Sequence, residues 1–318
     1  MRIGQNPAKF VDTVVQPQEI TVAVITCIPM LSGFYEQSLD VLKACLSSIL
    51  ANTENPFDLM VFDNASCPGV REYLHAAHEE GIIQYLILSE KNIGKMGAWN
   101  FIFGAAPGKY LAYADSDIYF QPDWLSQSLD LLEALPNVGM VTSRPMRTPD
   151  DLSSFTIEWA HQQGPEIFQE GKFLAWETYW EHARSLGHSE DKARQDFDDG
   201  RDLRLTYNGR CAYIGADHFQ FVARRDILQS IIPIPSEKPL RGDRALDNAI
   251  NDLHFLRLTT CEAFVQHMGN RLEDFSTIAD QVKRKSGILK RLLWLPGISH
   301  GLLWLHNRIF RIYFTHGR

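Results

Sequence analysis

The sequence predicts an α/β protein built on a mostly parallel, doubly wound sheet, and three observations carry that prediction. Apolar runs of strand length, several of them β-branched, alternate with segments whose apolar residues recur with the 3.6-residue period of a helix. The helical segments are about 10 to 15 residues long, as βαβ crossovers require. Polar residues gather where the apolar runs end, and in such sheets ligands bind at the carboxyl ends of the strands.

In chain order, residues 20–26, ITVAVIT, form a β-branched run suited to a strand buried on both faces. Between residues 36 and 51, Leu39, Leu42, Leu46, Ile49 and Leu50 define one helical face. FDLMVFDNAS (57–66) reads as a second strand ending in a polar turn, 69–80 as a helix, 82–88 as a third strand and 95–106 as a helix. KYLAYADSD (109–117) supplies a fourth strand, with a helix over 123–135 and a fifth strand over 138–143. Beyond residue 146 a polar, aromatic-bearing stretch to Tyr207 predicts one or two helices outside the sheet, in a lobe that shares the core. Residues 211–224 then read as one strand, and 256–269 as further short strands.

This divides the chain into an extension (1–19), a ligand-binding half (20–145), a second half (146–270) and a tail (271–318). At 318 residues, 45% hydrophobic and 22% charged, the chain has a globular composition and length enough for a sizeable core. Five cysteines, an odd number with no CxxC pair, argue against a structural zinc site and a full disulfide set, and fit a reducing cytosol. The first 20 residues have no unbroken apolar run of the kind an export signal needs. Eight Lys and Arg follow Gln281 with no acid among them, so a net charge of −8 leaves −16 on residues 1–280. That acidic body opposes general nucleic-acid binding, which needs a basic surface.

Asp115 and Asp117 end the fourth strand with one residue between them, so both point the same way in an extended chain and can approach one hard cation such as Mn²⁺ or Mg²⁺. A bare DxD is elsewhere a solvated turn; its place after an apolar strand is what gives it weight here. Asp63 ends the second strand, where it can accept from a ribose or base, or close an Asx turn. Thr26 ends the first strand. Asn92, Gly94 and Lys95 place a turn glycine and a cation before a helix N-terminus, a setting that suits phosphate.

In order and spacing over residues 20–143, ITVAVIT, VFDNAS, Asn92 with Gly94, and LAYADSD resemble the family 2 glycosyltransferases of GT-A fold. The resemblance implies a transferase of hexosyl type that uses a nucleotide-diphosphate sugar and Mn²⁺ or Mg²⁺. It places Asp63 at the base or ribose, Asp115 at the ribose and metal, Asp117 at the metal, and Lys95 at the pyrophosphate. It further implies a catalytic base opening a later helix, with Asp243 at the matching place and Asp247 one turn on as competitor, and His267 in VQHMG as an added metal ligand. Where the family usually has Glu before that base, this chain has Gly242. The implied acceptor is a glycan or a lipid-linked sugar, and inversion the expected outcome. Two rival readings are a carbohydrate-binding protein with a degenerate site and a haloacid-dehalogenase-like phosphatase. The latter normally carries DxD on its first strand.

The tail is basic and rich in Trp, with Leu302, Leu305, Ile309, Ile312 and Tyr313 on one helical face and Arg308 and Arg311 on the other side. No stretch reaches the ~20 apolar residues of a spanning helix. Such a face suits either an anionic membrane surface, which would place a cytoplasmic enzyme at the inner face of a membrane, or packing on the body or a second subunit.

Overall fold

The computed structural model describes residues 5–236 and 244–272. The first half alternates strand and helix: β1 (Ile20–Thr26), α1 (Ser38–Asn52), β2 (Phe57–Asn64), α2 (Pro68–Glu79), β3 (Tyr85–Ser89), α3 (Gly94–Ala105) and β4 (Tyr110–Asp115). A short β5 (Ile118–Phe120) follows, then α4 (Trp124–Ala134) and β6 (Val138–Thr142). The second half contains α5 (Ser154–Gln163), β7 (Phe168–Gly171), α6 (Trp176–Ser185), α7 (Glu190–Asp199), β8 (Asp202–Tyr207), β9 (Arg210–Ile214) and β10 (Gln220–Arg224). It ends with α8 (Arg225–Ser230), α9 (Arg244–Asp252), β11 (Leu256–Thr260) and β12 (Val265–His267).

Among the described residues ten strands form one sheet in the order β3-β2-β1-β4-β10-β6-β11-β9-β8-β7. The β3-β2-β1-β4 half is parallel throughout, as the β-branched runs and crossover helices predict. Every residue of β1 is buried, and the strand lies between β2 and β4 within the sheet. β6 and β11 are also parallel, whereas β10 runs antiparallel between β4 and β6. Residues through Arg271 form one compact unit, and the sheet continues unbroken past residue 145.

An aromatic cluster welds α3 to the strands beneath it. Trp99 stacks on Phe103 at 5.8 Å, and Tyr113 stacks on Phe221 at 5.1 Å across the β4–β10 pairing. All four are fully buried, and such pairs contribute beyond their buried area.

Three features differ from the sequence prediction. Residues 211–224 are two strands: Gly215 sits at φ +113°, a conformation that suits glycine, and the chain breaks there before β10 begins. Residues 159–207 hold strands β8 and β7 as well as helices: β8 pairs antiparallel with β9, and β7 pairs with β8 to form the edge of the sheet. The odd cysteine count conceals a Cys211–Cys261 disulfide, its Cα atoms 5.8 Å apart, since β9 pairs with β11 and brings together residues 50 apart in sequence. Disulfides persist in oxidising surroundings, so cysteine usage no longer argues for a reducing compartment. Cys211→Ser is expected to cost about 2–4 kcal/mol. Urea unfolding with and without reductant measures it, and reductant should erase the difference between the variant and the native chain.

Candidate active site

The parallel strands deliver their carboxyl ends to one edge, and a cavity of about 360 Å³ opens there. Ile25, Cys27, Tyr35, Asn64, Asn92, Lys95, Asp115, Ser116 and Asp117 line it. Parallel register explains the convergence: Ile25 lies opposite Asp115, and Thr26 opposite Asp63.

Asp115 is the last residue of β4, and both its oxygens are engaged. Oδ2 lies 2.7 Å from Lys95 Nζ, and Oδ1 accepts the Tyr113 hydroxyl at 2.5 Å. Lys95 reaches it from the first turn of α3, its ammonium over the rings of Trp99 at 5.3 Å and Tyr113 at 5.7 Å. The Tyr113 hydroxyl is pushed well above its ordinary pKa by burial and by the Asp115 charge, so it remains a donor.

Asp117 lies two residues on. Its Oδ1 is buried without a hydrogen-bond partner among the described residues, and its Oδ2 lies 3.3 Å from His267 Nε2. Burial raises the Asp117 carboxyl above the usual carboxylate range, and His267 works in the opposite direction. The pairing of β12 with β5 places His267 opposite Ile118, and Met268 N donates to the Asp117 carbonyl at 2.8 Å. His267 Nδ1 accepts from Gly269 N at 3.2 Å, which puts the imidazole proton on Nε2, toward Asp117.

The turn before α3 is held from both sides by Asn64, a residue to which the sequence reading gave no role. Its amide donates to Asn92 Oδ1 at 3.1 Å and to the Gly94 carbonyl at 3.3 Å, and its Oδ1 accepts from Ile93 N at 2.9 Å. Asn92 Oδ1 also accepts from Gly94 N at 2.9 Å, while Gly94 sits at φ +76°, so the turn requires that glycine.

The structure does not bring every expected residue into the cavity. Asp63 is wholly buried and turned inward: Ser66 N donates to it at 3.1 Å, and Arg71 Nε at 3.0 Å. It closes the polar turn and holds α2, and its neighbour Asn64 lines the cavity instead. Thr26 is buried, with a hydroxyl that finds no partner among the described residues. Asp247 is removed from the candidate catalytic set: its carboxylate is 1% exposed and paired with the fully buried guanidinium of Arg257. Helical periodicity turns this residue of α9 inward, where a charge needs a partner. Asp243, Gly242 and the tail from residue 273 lie outside the described residues.

Four further residues sit at this edge without having been singled out. Because β10 runs antiparallel to β4, Asp115 N donates to the Phe219 carbonyl at 2.8 Å, which brings Asp217 and His218 alongside. His182 of α6 lies 5.9 Å from the His267 ring, and burial together with Arg144 pushes its pKa down to about 3. Arg144 is fully buried and donates to the carbonyls of Thr178 at 2.8 Å and Val265 at 3.2 Å, tying α6 to β12. An arginine directly following the apolar strand 138–143 was the available signal.

Over part of its length the chain is similar to known glycosyltransferases. The family model described as Glycosyl transferase family 2 matches residues 33–183. An uncharacterized glycosyltransferase of Nostoc sp. is 25% identical over 129 residues, covering 41% of this chain and 39% of that protein. An uncharacterized glycosyltransferase of Rickettsia felis is 30% identical over 88 residues, 28% of this chain and 14% of its own length. The chain thus spans well under half the length of these curated relatives. Among solved structures, the mannosyltransferase PcManGT from Pyrobaculum calidifontis, in complex with GDP-Man and Mn²⁺, is 17% identical with a TM-score of 0.45, covering 77% of this chain and 55% of that one. Residues 33–183, which carry Asp63, Asn92, Gly94, Lys95, Asp115 and Asp117, are the part of the chain that is similar to the glycosyl transferase family 2 model.

Proposed function

We propose that the protein is a metal-dependent glycosyltransferase that moves a sugar from a nucleotide-diphosphate donor to an acceptor hydroxyl, with inversion. The observation that carries this reading is the pair Asp115 and Asp117 at the rim of the cavity, with Lys95 on one carboxylate and His267 on the other. A divalent cation fits the donor set, because Asp117 Oδ1 is a buried carboxylate oxygen without a partner among the described residues, and hard cations take such oxygens. Asp115 and Asp117 would hold it, and His267 joins them only in the tautomer protonated on Nδ1.

Bound there, the metal would act as a Lewis acid, neutralising charge on the departing diphosphate. The chain's own residues supply the rest. Lys95 brings a second positive charge to the same subsite, and the Asn64 clamp sets the turn from which it projects. Asp243 is assigned as the base that takes the acceptor proton, a role resting on the family resemblance. The division into a donor half (20–145) and an acceptor half (146–270) belongs to this reading. So do cytoplasmic placement, a glycan or lipid-linked acceptor, and peripheral attachment or self-association through the tail. Among the described residues no helix is long and apolar enough to cross a membrane.

Screening UDP-, GDP- and dTDP-sugars by thermal unfolding, with Mn²⁺ and with chelator, tests the reading. A donor at ~100 times its dissociation constant adds about 2.7 kcal/mol to stability. Metal-dependent stabilisation by one donor class, with release of free nucleotide diphosphate when acceptor is supplied, is the expected result. Binding without release in the presence of a broad acceptor set would favour the carbohydrate-binding alternative, which the Gly242 departure suggests.

A further inference from the structure

Lys95 stands where a lysine is electrostatically out of place. It occupies the first turn of α3, the positive end of the helix macrodipole, which disfavours cations. Its side chain is only 14% exposed, so water offsets little of that cost. Three groups compensate: the Asp115 carboxylate at 2.7 Å and the electron-rich faces of Trp99 and Tyr113. The ammonium is therefore built into the DxD site, with its anion and its aromatic walls all in place before any donor binds.

The two carboxylates are unequal as a result. Asp117 keeps an unpartnered oxygen, whereas both oxygens of Asp115 are taken, by Lys95 and by the Tyr113 hydroxyl. Among the described residues no group of three or more His, Cys, Asp and Glu is gathered closely enough to hold a metal ion unaided. A divalent cation approaching without nucleotide meets one open carboxylate and one already neutralised by an internal cation.

We infer that Lys95 is a resident competitor of the divalent metal for Asp115, and that the donor's diphosphate relieves the competition by drawing the ammonium away from that carboxylate. The inference rests on the metal-diphosphate reading of the DxD pair. Metal and nucleotide diphosphate then bind as a linked pair: each tightens the other, by the same factor in both directions. The device restrains futile metal binding at an empty site and delivers the lysine to the leaving group at the moment the metal reaches Asp115. Lys95 is a positioning and charge-balancing residue in this account. No proton or covalent bond changes hands.

The test is direct Mn²⁺ binding to the full chain, followed by electron paramagnetic resonance of the free ion, with and without UDP or GDP. In Lys95→Met, Mn²⁺ alone should bind about tenfold tighter than in the native protein, and the tightening caused by nucleotide diphosphate should shrink by a similar factor. Lys95→Gln, which also removes the charge but keeps a polar tip, should behave the same way and guards against a folding defect in the first variant. Unchanged or weaker Mn²⁺ affinity in a folded charge-removing variant overturns the inference. Asp117→Asn separates the two layers. If it abolishes Mn²⁺ binding while Lys95→Met leaves the affinity unaltered, only the competition fails. If Asp117→Asn binds Mn²⁺ as the native chain does, the metal assignment fails, and the competition with it.

Discussion

Asp117→Asn is expected to abolish metal-dependent donor binding, lowering nucleotide-sugar affinity in Mn²⁺ on the order of 10²-fold, about 2.7 kcal/mol, while the protein stays folded. The asymmetry follows from the site. Asp117 Oδ2 lies 3.3 Å from His267 Nε2, a contact that the amide oxygen of Asn can keep, and Oδ1 has no hydrogen-bond partner among the described residues to lose. Removing the charge also removes a carboxylate that burial disfavours. Thermal unfolding without ligand should therefore be unchanged or slightly raised, while titration calorimetry with donor and Mn²⁺ shows little heat. Undiminished Mn²⁺-dependent binding in the variant would remove Asp117 from the metal site.

The second large effect concerns the two acids of the segment 243–247, which should fail in opposite ways. Asp243→Asn is expected to lower turnover by 10²-fold or more with donor affinity nearly unchanged, the mark of a lost general base. Asp247→Asn should destabilise the fold by about 3–5 kcal/mol, because it leaves the buried Arg257 guanidinium without its counter-charge. Arg257 also donates to the Ala216 carbonyl at 2.6 Å and to that of Leu152, so its misplacement would loosen α9, β11 and the segment entering β10 together. Urea unfolding and steady-state rates on the folded fraction distinguish the two. A stable but inactive Asp247→Asn, beside an active Asp243→Asn, would exchange the roles.

The sequence by itself determined the alternating strands and helices of the first half, their mostly parallel sheet, and the acids and turn at the strand ends; the order β3-β2-β1-β4 came from the fold. Strands buried on both faces must be continuously apolar and crossover helices must be amphipathic, so the order of elements is written locally. β1 runs over the same seven residues, 20–26, that the β-branched run marks. That Asn92, Lys95, Asp115 and Asp117 lie at this edge was legible for a related reason, since the loops that leave parallel strands converge at their carboxyl ends.

What tertiary structure alone decided concerns partners distant in sequence. Asp247 read as an available acid and Asp63 as either a ligand group or the acid of a turn; Arg71 and Arg257 pair with them, and no local pattern predicts which guanidinium packs against which carboxylate. Asn64 looked like one more turn residue until the turn at Asn92 came within reach of its amide. β7 is a short, mostly polar strand made by pairing with β8, and the Cys211–Cys261 bridge exists because β9 lies beside β11. Periodicity records which face of an element is buried, and it carries no record of what the buried face meets.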